Sequence, residues 1–347
     1  MKAVAVRRDS ATAADLDGRI ACHDVRDGAG AVVVEKGQPL DAAAAAALLR
    51  LGWEEVHVLE LEPHDLHEEP AGARLSGAAA GPGVEVKGYA GGQWTLVATR
   101  RGLLRVRTEA LQSVNALEGM SVFTLYDLQP VEAGETVAKA KITPLAIPES
   151  LVKSAEERAW AASGLLTVSA FVPRVLGAVT RENLEARQRQ RFESSLAEKA
   201  SWFGSRLLPV RYAAAEAGAV AAGIEALLGE GADILIAAGA GSLDALDPIF
   251  VALSRLGGRM ERHGAPAHPG SLLWLAELRG RPVLGMPACG MFSQATTFDL
   301  ILPRILAGER VDSAAMAGLG HGGLLSRDSA YRFPPYRKSA VRGELGE

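Results

Sequence analysis

The spacing of apolar residues changes character near residues 150–170. Before that point the apolar runs are short and irregular. "AVVVEKG" (Ala31–Gly37) reads as a strand and turn. "PLDAAAAAALLRLGW" (Pro39–Trp53) reads as a helix, because Asp41 can cap its first turn, alanine favours helix and Gly52 ends it. "EEVHVLEL" (Glu54–Leu61) alternates apolar and polar like a half-buried strand. "QWTLVAT", "GLLRVRT" and "TVAKAKITPLAIP" are partly β-branched runs bounded by Gly or Pro. They predict a β-rich α+β module over residues 1–150. "ESLVKSAEERAWAAS" then predicts a linker helix over 151–170.

Beyond it, strand and helix patterns alternate. "RVLGAVT" (Arg174–Thr180) reads as a buried strand, with a polar helix from Glu182 to about Arg206. "LLPVRYA" is the next strand and "AAEAGAVAAGIEALLGEG" the next helix. "DILIAAG" (Asp233–Gly239) is near-continuously apolar, as a central parallel strand should be. In "DPIFVALSRLGG" (Asp247–Gly258), Asp247 can be the N-cap and Pro248 the first helical residue. Ile249, Phe250, Leu253 and Leu256 then share one face. "PVLGM" and "SQATTFDLILPRILAG" supply a last strand and helix. The pattern predicts an α/β fold, a doubly wound, mostly parallel sheet over 171–325, followed by a tail over 326–347.

Composition agrees with two domains: 347 residues, 48% of them hydrophobic and 5% aromatic. The net charge of −4 argues against a nucleic-acid partner. The densest basic run, "ARQRQRF" (Ala186–Phe192), lies among Glu182, Glu185, Glu193 and Glu198 and reads as a solvated helix face. The two cysteines, Cys22 and Cys289, exclude a disulfide framework and a Cys-rich zinc module. "MKAVAVRRDS" lacks the apolar core of a signal peptide, and no stretch approaches the ~18 apolar residues of a spanning helix. A cytoplasmic protein with no membrane partner is expected.

Ligands of open parallel sheets bind beyond the C-terminal strand ends. Two loops fall there. In "GAGSLDALD" (Gly239–Asp247), glycines let backbone N–H groups converge ahead of a helix N-terminus, which suits a phosphate. The loop is neither G-x-G-x-x-G nor a P-loop, so no standard dinucleotide or nucleoside-triphosphate site is indicated. Asp244 and Asp247 can hold Mg²⁺ beside such a phosphate and serve as catalytic groups, or Asp247 can simply be the cap. In "MPACGMF", Pro287 to Gly290 repeats the turn-and-helix device. Cys289 has no base partner nearby and reads as a small packing residue, with the turn's backbone as the donor. "EPHDLHEE" (Glu62–Glu69) carries metal-like residues, but Asp65 followed by Glu68 also fits a cap with its capping-box acid.

From "ADILIAAGAGSLDALD" to "PVLGMPACG" and on to "FDLILPRILAGERV", the chain resembles the molybdopterin-binding domain of molybdenum insertases and molybdopterin adenylyltransferases. It is also similar to bacterial molybdopterin-binding proteins with a distinctive N-terminal module, through "GRIACHDV", "GLLRVRTEALQSVNALEGMSVFTL", "VEAGETVAKAKITPLAIP" and "GHGGLL". Nothing resembles the entry motif of the nucleotidyltransferase domain that some of those relatives carry. The resemblance implies molybdopterin or Mo-molybdopterin as ligand, with Mg²⁺ as the one further cofactor. It implies a homo-oligomer, and molybdoenzymes or cofactor-biosynthesis proteins as partners. Gly239, Gly241, Ser242, Asp247, Pro269, Gly270, Pro287 and Gly290 match family loop positions, with Thr180, Ser271 and Cys289 beside them. The chain departs from the family in "VTREN", which has no Gly after Thr180, and in "AAGAG", which lacks a Thr. His268-Pro269-Gly270-Ser271 stands where relatives have Asp-Pro-Gly-Asn, and no Lys or Arg follows Cys289 directly. Phosphate affinity would then rest on backbone N–H groups and helix dipoles. An insertase or nucleotidyltransferase, a non-catalytic carrier, and a domain retuned to another phosphorylated ligand such as a nucleotide all remain open.

Overall fold

The computed structural model describes residues 1–239, 244–292 and 295–336. It is a mixed α/β protein with several sheets. The chain separates into two compact units. One comprises Met1–Arg100, Arg105–Asp127 and Ala133–Val168; the other comprises Arg101–Leu104, Leu128–Glu132 and Ser169–Glu347. Among the described residues no helix is long and apolar enough to cross a membrane.

The first unit is built from small antiparallel sheets. Lys2–Arg7 pairs with Glu55–Glu60, and Val84–Ala90, Gln93–Ala98, Thr136–Ile142 and Met120–Thr124 form a four-stranded sheet. The helix predicted at Pro39–Trp53 is confined to Ala42–Leu48, with Asp41 accepting from Ala44 N at 2.7 Å. The reading of Asp65 as a cap is corrected. Asp65 opens the strand Asp65–His67 and pairs with the amino terminus at 2.5 Å, while His67 caps the helix Glu68–Ala79. That helix begins at Glu68 and carries Pro70 in its first turn and Gly72 in its second. Proline is tolerated in a first turn, and Gly72 gives room to Trp94, whose ring would lie 2.7 Å from an added Cβ.

The second unit carries a seven-stranded sheet. In chain order its elements are β1 (Val175–Thr180), α1 (Ala186–Trp202), β2 (Arg206–Leu207), β3 (Arg211–Tyr212), α2 (Ala217–Gly229), β4 (Ile234–Ala238), α3 (Pro248–Arg255), β5 (Arg259–Arg262), β6 (Trp274–Leu278), β7 (Arg281–Met286), α4 (Ala288–Phe292) and α5 (Thr297–Leu306). β1 pairs in parallel with β2, β3 and β4, and β4 in parallel with β7. Alternate residues of β4 point to opposite faces. Ile234, Ile236 and Ala238 pack with Phe192 and Leu196 of α1 and with Phe298 and Ile301 of α5. Leu235 and Ala237 pack with Val220 and Ile224 of α2 and with Ile249 and Leu253 of α3. Cover on both faces is why "DILIAAG" is apolar throughout.

The other side of the sheet carries antiparallel pairings that the sequence pattern did not indicate. β6 runs antiparallel to β7, and β5 antiparallel to β6. Arg279 (φ 52°) and Gly280 (φ 75°) form the two-residue connection, the left-handed pair that a tight hairpin requires. The last helix also differs. It begins at Thr297 with Thr296 as N-cap and Asp299 completing the capping box, and the separate short helix α4 precedes it.

Candidate functional site

The registers of β1, β4 and β7 bring their C-terminal ends into one row: Thr180 lies opposite Ala238, and Ala238 opposite Met286. Neighbouring strands are about 4.8 Å apart, so the segments that follow these residues leave the sheet side by side. Gly239 N donates to Met286 O at 2.8 Å, tying the second of these segments to the third. Gly239 has φ +84°, and an added Cβ would lie 2.3 Å from Cγ of Glu182. A glycine is therefore required there for both conformation and space.

Thr180 is fully buried, and its hydroxyl accepts from Glu182 N at 3.1 Å. It shapes its own turn. The residue after it, Arg181, is the site group that the sequence pattern did not single out. Its Nη2 donates to Asp247 Oδ2 at 2.6 Å and its Nε reaches both Asp247 oxygens at 3.2 Å. That hydrogen bonding, with the nearby negative charges of Asp247, Glu182 and Asp244, raises the Arg181 pKa further and keeps it charged. Its Nη1 lies 4.0 Å from Glu182 Oε1. An arginine directly past a buried strand end was the available signal. Its partner Asp247 was legible in the sequence as a cap, a metal ligand or a catalytic group, but not as the partner of Arg181.

Asp247 is buried and does cap α3, with Oδ1 accepting from Ile249 N at 2.9 Å. Its carboxylate is thus shared between the cap and Arg181. A divalent cation there would have to displace a guanidinium, so the arrangement does not suit Mg²⁺ at Asp247. Asp244 is exposed and accepts from Leu246 N at 2.8 Å. Among the described residues no group of three or more His, Cys, Asp or Glu side chains could hold a metal. Gly241 and Ser242 lie outside the described residues.

The Pro-Gly segment is pinned against the start of α5. Thr297 donates to Pro269 O from its N at 3.0 Å and from its Oγ1 at 3.1 Å. Gly270 (φ +108°) is buried, and an added Cβ would lie 2.7 Å from Thr297 Oγ1. Ser271 is exposed, and its carbonyl accepts from Ala265 N at 2.9 Å. In the "MPACGMF" turn, Pro287 and Gly290 are buried and Gly290 N donates to Pro287 O at 2.8 Å. Cys289 corrects the packing expectation: it is exposed, while the inward positions of α4 belong to Gly290 and Met291.

Asp247→Ala removes both the cap and the partner of Arg181. A stability loss of about 1–2 kcal/mol is expected from the cap, read as a lower urea midpoint at unchanged slope. Asp247→Asn, which can still cap, should recover most of it.

No protein-family model matches the chain, and no curated protein does. Among solved structures, a molybdopterin biosynthesis protein, MoeA, from Pyrococcus horikosii overlays with a TM-score of 0.30 and 15% identity, covering 88% of this chain and 75% of that one. A NadC deletion mutant overlays with a TM-score of 0.17 and 11% identity, covering 54% of this chain and 80% of that one. Overlays of that quality do not establish a shared fold, and the site stands on its own geometry.

Proposed function

We propose that this chain binds molybdopterin or Mo-molybdopterin at the C-terminal edge of the parallel strands and acts in cofactor assembly or delivery. The observation that carries the reading is the row Thr180–Ala238–Met286, from which three segments depart beside the clamped guanidinium of Arg181. Helices covering both faces support a doubly wound arrangement, in which such an edge is the usual ligand position. The pterin identity rests on the resemblance of "GAGSLDALD", Pro269-Gly270 and "GMPACG" to molybdopterin-binding loops. Arg181 would meet the ligand phosphate with its Nη1, Asp247 would orient Arg181, and loop N–H groups would complete the cradle. Because Asp247 is already bound to Arg181, a carrier role is favoured over catalysis by that carboxylate. Molybdoenzymes or cofactor-biosynthesis proteins are the partners this role requires.

The test is retention of molybdopterin or Mo-molybdopterin by the purified protein after gel filtration. Wild type should retain the pterin at micromolar concentration, and Arg181→Ala should bind about tenfold more weakly, as expected for one charge-assisted hydrogen bond. No retention by wild type rejects the reading. A larger thermal shift with nucleotides than with pterins would point instead to a retuned ligand.

A further inference from the structure

The basic run Ala186–Phe192 is more than a solvated face. Arg187 and Arg191 of α1 stand one helical turn apart and share one side of the helix. With Gln190, Ser194, Ser195 and Glu198 they line an open groove of about 580 Å³, whose other wall is Phe292 of α4. The Arg191 guanidinium sits 5.7 Å from the centroid of the Phe292 ring. Arg189, on another side of the helix, is differently placed: it lies 4.4 Å over Tyr212 and donates to Leu184 O at 2.9 Å. Among the described residues, neither Arg187 nor Arg191 has a carboxylate partner. Glu198, the one acid on the lining, has an interaction of its own. The groove thus holds two adjacent cations that no carboxylate among the described residues pairs, three further side chains that can donate hydrogen bonds, and a flat apolar wall. α1 follows the end of β1 and α4 follows the end of β7, so the groove opens at the same end of the sheet as the candidate site.

We propose that this groove binds the phosphoryl group of an organic phosphate, with Arg187 and Arg191 gripping the anion and Phe292 supporting the ligand's flat part. Two guanidiniums offer forked donors that match phosphate oxygens, and an aromatic face suits a ring carried on the phosphate. Apart from Phe292, at the end of the third segment, the groove's lining shares no residue with the candidate site at Thr180, Arg181, Asp247, Pro269 and Gly270, and its chemistry does not depend on a pterin.

The probes are inorganic phosphate and phenyl phosphate, titrated into the full chain and followed by ³¹P line broadening. Phenyl phosphate should bind more tightly than phosphate. Arg187→Gln and Arg191→Gln should each weaken both probes about tenfold, while Arg191→Lys should recover part of the loss. Phe292→Leu should remove the phenyl advantage and leave inorganic phosphate unchanged. Both arginines are exposed, so circular dichroism should show the variants folded. The proposal is overturned if wild type binds neither probe, or if the glutamine variants bind both as wild type does. Failure of molybdopterin retention with arginine-dependent phenyl phosphate binding intact would reject the proposed function alone. The reverse outcome would reject the groove alone.

Discussion

Lys199→Met lowers the stability of the second unit by about 3–5 kcal/mol, the usual effect of leaving one member of a buried ion pair without its partner. Lys199 on α1 and Asp299 on α5 are both buried and form an ion pair. Asp299 is also the capping-box acid of α5, accepting from Thr296 N at 2.9 Å, and it accepts from the Tyr336 hydroxyl at 2.9 Å. Burial, and then the negative charge of Asp299, push the Tyr336 pKa well up, so this hydroxyl stays a donor. Methionine would fill the space of the lysine stem but leave the buried carboxylate, held by Thr296 and the Tyr336 hydroxyl, without the lysine charge. For a unit of this size the loss corresponds to a fall in melting temperature of roughly 6–20 °C. Adding Asp299→Asn to Lys199→Met should restore much of the loss, because the side-chain cap survives without a buried charge. A single variant that stays within about 1 kcal/mol of wild type, well short of the loss expected for a dry pair, would mean that the pair is solvated. The consequence reaches the ligand edge, since the pair joins α1, which carries the arginine groove, to α5, on which Pro269 and Gly270 rest.

Gly270→Ala is the second large effect, expected to lower stability by roughly 2–5 kcal/mol and to abolish pterin retention. Two costs combine. At φ +108° an alanine is strained, and its Cβ would approach Thr297 Oγ1 to 2.7 Å and Thr297 N to 2.8 Å. The second contact involves backbone that also donates to Pro269 O, so relief requires the Pro-Gly segment to move away from α5. Gly231→Ala separates the two costs: its φ is +88°, yet nothing lies within 4 Å of the added Cβ. It should show only the conformational part, about 1 kcal/mol, in the same thermal or urea unfolding experiment. Equal losses at the two glycines would rule out the steric argument at Gly270.

Local signals in the sequence were strong where short-range chemistry decides the outcome. Asp247 and Pro248 mark the start of α3, Asp41 caps its helix, and the apolar run at 234–238 is a strand covered on both faces. Each follows from a cap, a fixed φ or an alternating side-chain direction. The Arg279-Gly280 hairpin was not read, because the regular βα alternation around it suggested a mostly parallel sheet.

What the sequence by itself determined is therefore the punctuation of the second unit: where its main strands run, where α3 begins and where glycine is needed. The tertiary structure alone decided which of these ends meet. Strand register set Thr180, Ala238 and Met286 in a row, and it carried Arg181 to Asp247 across 66 residues of chain. It likewise turned Arg187 and Arg191 toward Phe292, and buried Lys199 against Asp299. Pairing across such separations is fixed by sheet order and helix packing, which depend on the whole core and leave no periodic trace at the residues that finally touch.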